Sequence, residues 1–190
     1  MNLNNLRISA KLIAAFGSII VIFALSSTAV FWSLRTIGDV VERNAASIRL
    51  SGAAADVLSE AIEQQNATRG FVATSDPAFI ETYDKLGAHA DESLETFRSE
   101  TRVPEQRQRA EALKAALTEW RAENQVLFEL TKDPATAEQA RALVGTIRLS
   151  KVRQIQGEMI QVQDKLVAER RAEQMEALAA ARTTLIAGAL

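Results

Sequence analysis

The chain begins with one long apolar stretch, ends with the start of another, and is polar between them. Residues 12–34 carry no charged side chain, and residues 183–190 begin a second stretch of the same kind. Because a helix rises 1.5 Å per residue, about 20 apolar residues cross the hydrocarbon core of a bilayer. The pattern predicts a first transmembrane helix at residues 12–34 and the truncated start of a second at residues 183–190.

The charges beside the first stretch predict its orientation. Arg7 and Lys11 precede it, whereas no acidic residue occurs before Asp39. Since positively charged flanks stay in the cytoplasm, we expect residues 1–11 to be a cytoplasmic arm and residues 35–182 to be a periplasmic domain held at the inner membrane. A cleaved signal peptide is the alternative, but the apolar residues continue past Ala29, longer than a signal core needs.

Between the apolar stretches, hydrophobic residues recur at alternating spacings of three and four, which is typical of helices packed along a heptad seam. Asp76-Pro77, Pro104 and Asp133-Pro134 mark helix starts, because an acidic cap and a proline in the first turn both suit a helix N-terminus. The first two predicted seams contain Leu34, Ile37, Val41, Asn44, Ile48, Ser51, Ala55, Leu58, Ile62, Gln65, Arg69 and Val72, then Phe79, Tyr83, Leu86, Ala90, Leu94 and Phe97. The last two contain Ala110, Leu113, Leu117, Trp120, Asn124 and Leu127, then Val152, Ile155, Met159, Val162 and Leu166.

These seams predict an all-α fold, a membrane-anchored antiparallel four-helix bundle with left-handed coiled-coil packing. The first helix should continue to about Phe71 and the fourth should run from Pro134 to Arg182, so both exceed the middle two in length. The longer pair would leave apolar positions near the membrane without cover. We therefore expect a homodimer, with Asn44 and Ile48 near its symmetry axis.

Composition excludes several kinds of chemistry. The chain has no cysteine and one histidine, His89, so neither a disulfide nor a thiolate metal site can form, and a histidine metal site is disfavoured. Its net charge is -2, without a basic block for nucleic acid. No nucleophile with a base, phosphate-binding glycine loop or metal-binding spacing is present. We expect no cofactor, no metal, no nucleic-acid partner and no enzymatic activity.

Arg69 is the most informative polar residue, because it falls on the predicted buried seam of the first helix. A buried charge needs a partner. Arg148 and Lys151 of the fourth helix should lie at about the same height, so together with Gln65 and Asn66 they form a candidate site for an anionic ligand. The competing interpretation, which we favour, is structural: a carboxylate of the protein pairs with Arg69.

Two segments carry a family resemblance. The arm and anchor from Leu6 to Gly17 resemble the start of bacterial methyl-accepting chemotaxis receptors. The segment from Glu63 to Tyr83, which includes Arg69-Gly70-Phe71 and Thr74-Ser75-Asp76-Pro77, resembles the CHASE-type sensory domain of the third class, with Ser75 in place of the usual glycine. The resemblance covers roughly Ile37 to Glu173.

The resemblance implies a four-helix sensory domain between two membrane helices, which transmits a stimulus to a cytoplasmic output. We expect the chain to be the input module of a chemotaxis receptor. Its expected partners are membrane lipid, a second copy of the chain and cytoplasmic signalling proteins. The stimulus would be a small anionic ligand or a ligand-binding protein. The alternatives are the input domain of a sensor histidine kinase or cyclase, and a membrane-tethered helical scaffold that senses nothing.

Overall fold

The structure, a computed structural model, describes residues 8–189, with side chains for residues 8–180, 182 and 183. It contains five helices in chain order: α1 (Ile8–Thr74), α2 (Ala78–Glu100), α3 (Pro104–Lys132), α4 (Ala137–Leu143) and α5 (Ser150–Ala189). The described residues contain no strand, so the predicted all-α class is confirmed. The predicted cytoplasmic arm lies mostly outside the described residues, as do the side chains of most of the predicted second membrane segment.

The chain folds as two units. The terminal unit contains the residues up to Asn44 and those from Val167 onward, and the central unit is Ala45–Leu166. In the central unit, buried residues from α1, α2, α3 and α5 form one hydrophobic cluster. A smaller cluster of Val72, Leu127 and Ala140 joins α4 to α1 and α3.

The proline positions set the connections as predicted, with one shift. α3 begins at Pro104, and α2 begins at Ala78, directly after Pro77. After Asp133-Pro134, however, two further residues stay outside the helix and α4 begins only at Ala137. The Asp133 carboxylate accepts a hydrogen bond from the Ala135 N–H at 2.9 Å, which stabilises a turn before the helix starts.

The predicted fourth helix is wrong in one respect, because it is divided into α4 and α5. α4 ends at Leu143, whose carbonyl accepts from the Thr146 N–H at 2.8 Å and from the Thr146 hydroxyl at 2.7 Å. Gly145 lies within this turn, and glycine is among the weakest helix formers. Six residues therefore separate the two helices, and α5 begins at Ser150.

The buried face of α1 in the central unit is displaced by one residue from the predicted seam. Ile48 and Ala55 were predicted to be buried and are exposed, whereas their preceding neighbours Ser47 and Ala54 are buried. The observed stripe keeps the alternating spacing of three and four: Ser47, Leu50, Ala54, Val57, Ala61, Gln64, Thr68 and Phe71. The heptad period was predicted correctly for α1, but its phase was wrong.

The seams of α2, α3 and α5 agree better with the structure. Tyr83, Ala90, Leu94 and Phe97 of α2 are buried, as are all six predicted seam residues of α3. On α5, Val152 and Met159 are buried and Ile155 packs against the core. Side-chain amides also join the helices. The Gln64 Nε2 of α1 donates to the Tyr83 carbonyl of α2 at 2.9 Å, and the Gln106 Nε2 of α3 donates to the Met159 carbonyl of α5 at 2.9 Å.

The terminal unit differs in where its apolar side chains lie. α1 contains a stretch near the N-terminus that is long and apolar enough to cross a membrane. Its large side chains, among them Phe16, Ile20 and Phe23, are exposed. Within the same unit, the Arg170 Nη1 of α5 donates to the Arg43 carbonyl of α1 at 2.8 Å.

Candidate ligand site

The five predicted ligand residues have different surroundings in the structure. Arg69 is exposed, so its predicted place on the buried seam is wrong, and neither Arg69 nor Arg148 has an ion pair among the described residues. Lys151 pairs with Glu119 of α3 at 2.6 Å. The Lys151 ammonium beside Glu119 holds the pKa of that carboxyl below its usual range. Lys151 therefore has a protein partner already.

The two remaining predicted residues make local contacts. The Gln65 Nε2 donates to the Ile147 carbonyl at 3.1 Å, which brings α1 against the segment that contains Arg148. The Asn66 Nδ2 lies 3.4 Å from the Glu63 Oε2 on the same exposed side of α1. Gln65 thus has a structural contact between elements. Ligand binding by these five residues stays a prediction.

A groove at one end of the central unit is a more convincing place for a ligand. It lies where the α1–α2 connection and the α3–α4 connection come together, and its volume is about 710 Å³. Pockets of 300 to 1,000 Å³ are typical of small-molecule sites. We call it the turn-end groove, and its lining residues are Phe71, Ser75, Pro77, Ile80, Thr131, Lys132, Pro134, Ala137, Glu138 and Arg141.

Two Asp-Pro turns shape the rims of the turn-end groove. Asp76 accepts from the Ala78 N–H at 2.9 Å, and Asp133 accepts from the Ala135 N–H at the same distance. Ser75 has φ of 59°, the left-handed conformation that favours glycine. Its N–H donates to the Phe71 carbonyl at 2.7 Å and so closes α1. Both aspartate side chains are thus hydrogen-bonded to backbone N–H groups of their own turns.

Three ionisable side chains line the turn-end groove. The Lys132 Nζ is 2.7 Å from the Glu129 Oε1, and the Arg141 Nη1 is 2.7 Å from the Glu138 Oε2. Both cations of the wall are therefore paired with a carboxylate, one of which, Glu129, lies outside the lining. The unused N–H donors of Lys132 and Arg141 on a partly apolar wall favour a ligand with a hydrogen-bond acceptor that carries negative charge.

Aromatic side chains connect the turn-end groove to the core of the central unit. Phe71, in the groove wall, meets Phe128 edge to face at 5.5 Å between ring centroids. Phe128 meets Tyr83 in the same way at 4.9 Å, and Tyr83 lies 6.4 Å from Trp120. Rings in these geometries attract one another beyond the effect of burial alone. A molecule that displaces Phe71 would therefore act on residues of α1, α2 and α3 together.

The layer that contains this aromatic row also holds buried polar atoms without hydrogen-bond partners among the described residues. They include the Gln64 Oε1, the Tyr83 hydroxyl and the Trp120 Nε1. Burial raises the pKa of Tyr83 to about 12, and the nearby Arg121 charge opposes the increase. Arg121 itself donates to the Gly87 carbonyl at 3.1 Å and pairs with Asp91 at 2.9 Å. Because an unpaired buried polar group costs free energy, this layer is less stable than an apolar core of the same packing.

The groove residues were missed because the two Asp-Pro turns were interpreted separately, each as a helix start. The chain repeats the same pattern in Thr74-Ser75-Asp76-Pro77 and Thr131-Lys132-Asp133-Pro134. In an up-down arrangement of helices, the first and third connections lie at the same end. That repeat was the available signal for a shared site. No group of acidic or histidine side chains suited to a metal ion occurs in the part of the chain that the structure describes.

Comparison with protein families gives a match over most of the chain. The model of the CHASE3 domain matches residues 42–173, which include the whole turn-end groove. CHASE3 domains are extracellular-type sensory domains of signalling proteins, found in chemoreceptors and histidine kinases. Searches of curated proteins and of solved structures find no match to the chain.

Proposed function

Because the chain belongs to the CHASE3 domain family, we propose that it is the extracytoplasmic sensory input module of a transmembrane chemotaxis receptor. The observation that carries this proposal is the family match over residues 42–173, directly after an apolar stretch able to span a membrane. The module signals without catalysing a reaction and passes a displacement through α5 to a cytoplasmic output. The input domain of a sensor histidine kinase or cyclase is the nearest alternative.

The proposed module is an antiparallel four-helix bundle anchored in the inner membrane. The core cluster supports this, since it contains residues from α1, α2, α3 and α5, with α4 as a short addition. The anchor is supported by the exposed apolar side chains of residues 12–34, which lipid would cover. Arg7 and Lys11 favour a cytoplasmic N-terminus and hence a periplasmic domain at residues 35–182.

Reporter fusions test the orientation on which this function depends. An alkaline-phosphatase fusion at Asp133 should be active, because phosphatase folds only after export, and a fluorescent cytoplasmic reporter at the same site should be dark. A phosphatase fusion at Lys11 is the matched control and should be inactive. The reverse pattern would exclude an extracytoplasmic sensor. A non-sensing scaffold would pass this test but would show no stabilisation by any ligand.

We also propose that the module is a homodimer. Val41 is 56% exposed and Ile48 is 64% exposed, and these large apolar side chains lie seven positions apart in the sequence. Exposed apolar side chains at heptad spacing are typical of a coiled-coil partner surface. A second copy would cover them on the side of α1 away from the buried stripe.

Disulfide trapping can test the dimer directly, because the chain has no cysteine of its own. Oxidation of Ile48→Cys in membranes should give a linked dimer, and Asn44→Cys should do so less completely. Leu50→Cys is the control and should remain monomeric, since Leu50 is buried in its own core. If no position from Ile37 to Ser51 gives a dimer, this surface is not the interface.

A further inference from the structure

We propose that the turn-end groove is the ligand site of this module and that it binds a small monocarboxylate with an aromatic or branched apolar body. This inference rests on the proposed sensory function and gives it a ligand class. It concerns residues that the sequence analysis did not predict as ligand residues: Phe71, Ile80, Lys132, Glu138 and Arg141.

The apolar part of the proposed ligand follows from the wall composition. The wall includes the apolar side chains of Phe71, Ile80, Pro77 and Pro134. Phe71 is held in place by Phe128 through an edge-to-face contact, so the wall is preformed. The neighbouring Gly70 lets α1 approach α2 closely, because a Cβ there would collide with the Phe79 ring. A preformed apolar wall binds a rigid or branched hydrocarbon body with little loss of conformational entropy.

The carboxylate follows from the hydrogen-bond donors. Arg141 has five N–H donors and Lys132 has three, and each uses one on its neighbouring glutamate in the described structure. Both side chains therefore retain donors that a carboxylate can accept from, and an Arg–carboxylate pair is frequently bidentate. Glu138 disfavours a second negative charge on the ligand. One carboxylate, rather than a phosphate or a dicarboxylate, therefore matches the donors of this wall.

Titration of the full chain in nanodiscs of neutral lipid tests the ligand class. The probes are phenylacetate, indole-3-acetate and 4-methylpentanoate, with phenylacetamide as an uncharged isostere and acetate as a charge without an apolar body. We expect at least one of the three probes to bind by calorimetry and to raise the melting temperature. Phenylacetamide and acetate should bind at least about tenfold more weakly, since a charge-assisted hydrogen bond or the apolar contact is lost.

Substitutions locate the binding in the turn-end groove. Arg141→Gln should weaken the binding of the charged probes about tenfold, and Lys132→Gln should weaken it less. Arg98→Gln is the matched control, because Arg98 is an exposed arginine paired with Glu95 three residues earlier, outside the groove. Ala137→Leu should weaken all the probes by filling the groove while every ion pair remains. Circular dichroism confirms that each variant keeps its helices.

Several outcomes would overturn the proposal. They are a lack of binding by all three probes, equal binding of phenylacetamide, equal weakening by Arg98→Gln, and full binding in Ala137→Leu. The reporter fusion at Asp133 keeps the two proposals separate, because it involves no ligand. An inactive phosphatase fusion with intact probe binding would reject the sensory orientation but retain the site, and an active fusion without probe binding would do the opposite.

Discussion

The same residue type occupies opposite environments in the two units of the chain. Phe97 of α2, in the central unit, is 0% exposed, whereas Phe23 of α1, in the terminal unit, is 73% exposed. In the central unit a large apolar side chain is covered by the chain itself. In the terminal unit the apolar side chains of residues 12–34 have no such cover, and under the proposed function lipid supplies it.

This difference shows what each part of the sequence pattern means. In the central unit, apolar residues at spacings of three and four alternate with charged ones, so one face of each helix packs and the other is solvated. In residues 12–34, apolar residues occur on all sides of the helix. A helix that is apolar all round needs an apolar environment all round. The unfolding free energy should therefore respond to substitutions in the central unit but not in this stretch.

Truncation of the two phenylalanines should give the largest effect. Phe97→Ala should lower the free energy of unfolding by about 3 to 5 kcal/mol, because it leaves a cavity in a fully buried site. Phe23→Ala should change it little. Urea unfolding of the full chain in detergent measures both, with Trp120 fluorescence as the signal in a Trp32→Phe background. Equal effects of the two substitutions would mean that residues 12–34 also pack against protein.

The seams could be predicted well where a helix has one apolar stripe and poorly where it has two. α3 has one, and all its predicted residues are buried. α1 has two adjacent stripes, one with Ser47 and Ala54 and one with the larger Ile48 and Ile62. Side-chain size favoured the second stripe, but small residues let helices approach closely, and the structure buries the first. The exposed position of Arg69 follows from the same shift of one residue.

The candidate site could be predicted only in part, because it depends on which connections meet. The sequence predicted helix starts at Asp76-Pro77 and Asp133-Pro134, and both form hydrogen-bonded turns beside the turn-end groove. The extra turn around Gly145 separates α4 from α5, and α4 supplies Ala137, Glu138 and Arg141 to the wall. The heptad period does not show that a short helix precedes α5, so the wall residues of α4 could not be predicted from it.

The second prediction concerns the pH dependence of stability and depends on Tyr83, the only tyrosine in the chain. Tyr83 lies in the polar layer of the central unit. Its ordinary pKa is 10.0, and burial raises the pKa in the folded protein to about 12. Above pH 10 the unfolded chain releases the phenolic proton while the folded chain keeps it, so stability falls as the pH rises. The expected slope is about 1.4 kcal/mol per pH unit up to the folded pKa, with no contribution from Tyr83 below pH 10.

Ultraviolet absorbance of the phenolate measures this titration without interference from another tyrosine. The folded chain should ionise near pH 12 and the urea-unfolded chain near pH 10. Tyr83→Phe should remove this loss of stability at alkaline pH. It should leave stability at pH 7 nearly unchanged, since the hydroxyl has no partner among the described residues. Ionisation of the folded chain near pH 10 would show that water reaches this layer.

The prediction with the smallest expected change in the free energy of unfolding compares two glycines of α1 that have different surroundings. At Gly52 an added Cβ would have no atom within 4 Å, so Gly52→Ala should raise the free energy of unfolding by up to about 1 kcal/mol through helix propensity. At Gly70 the same Cβ would lie 2.4 Å from the Phe79 Cε1, so Gly70→Ala must displace the ring. Overpacking typically costs about 1 to 3 kcal/mol, which exceeds the gain in propensity.

The two glycine substitutions should therefore have opposite signs in the same urea titration. The double variant Gly70→Ala with Phe79→Leu supplies the control, because a smaller side chain at position 79 leaves room for the Cβ. It should lose less stability than the sum of its single substitutions, since residues in contact are not additive. Additive effects, or stabilisation by Gly70→Ala alone, would show that the Phe79 ring moves freely. The α1–α2 contact would then leave the wall of the turn-end groove adjustable rather than preformed.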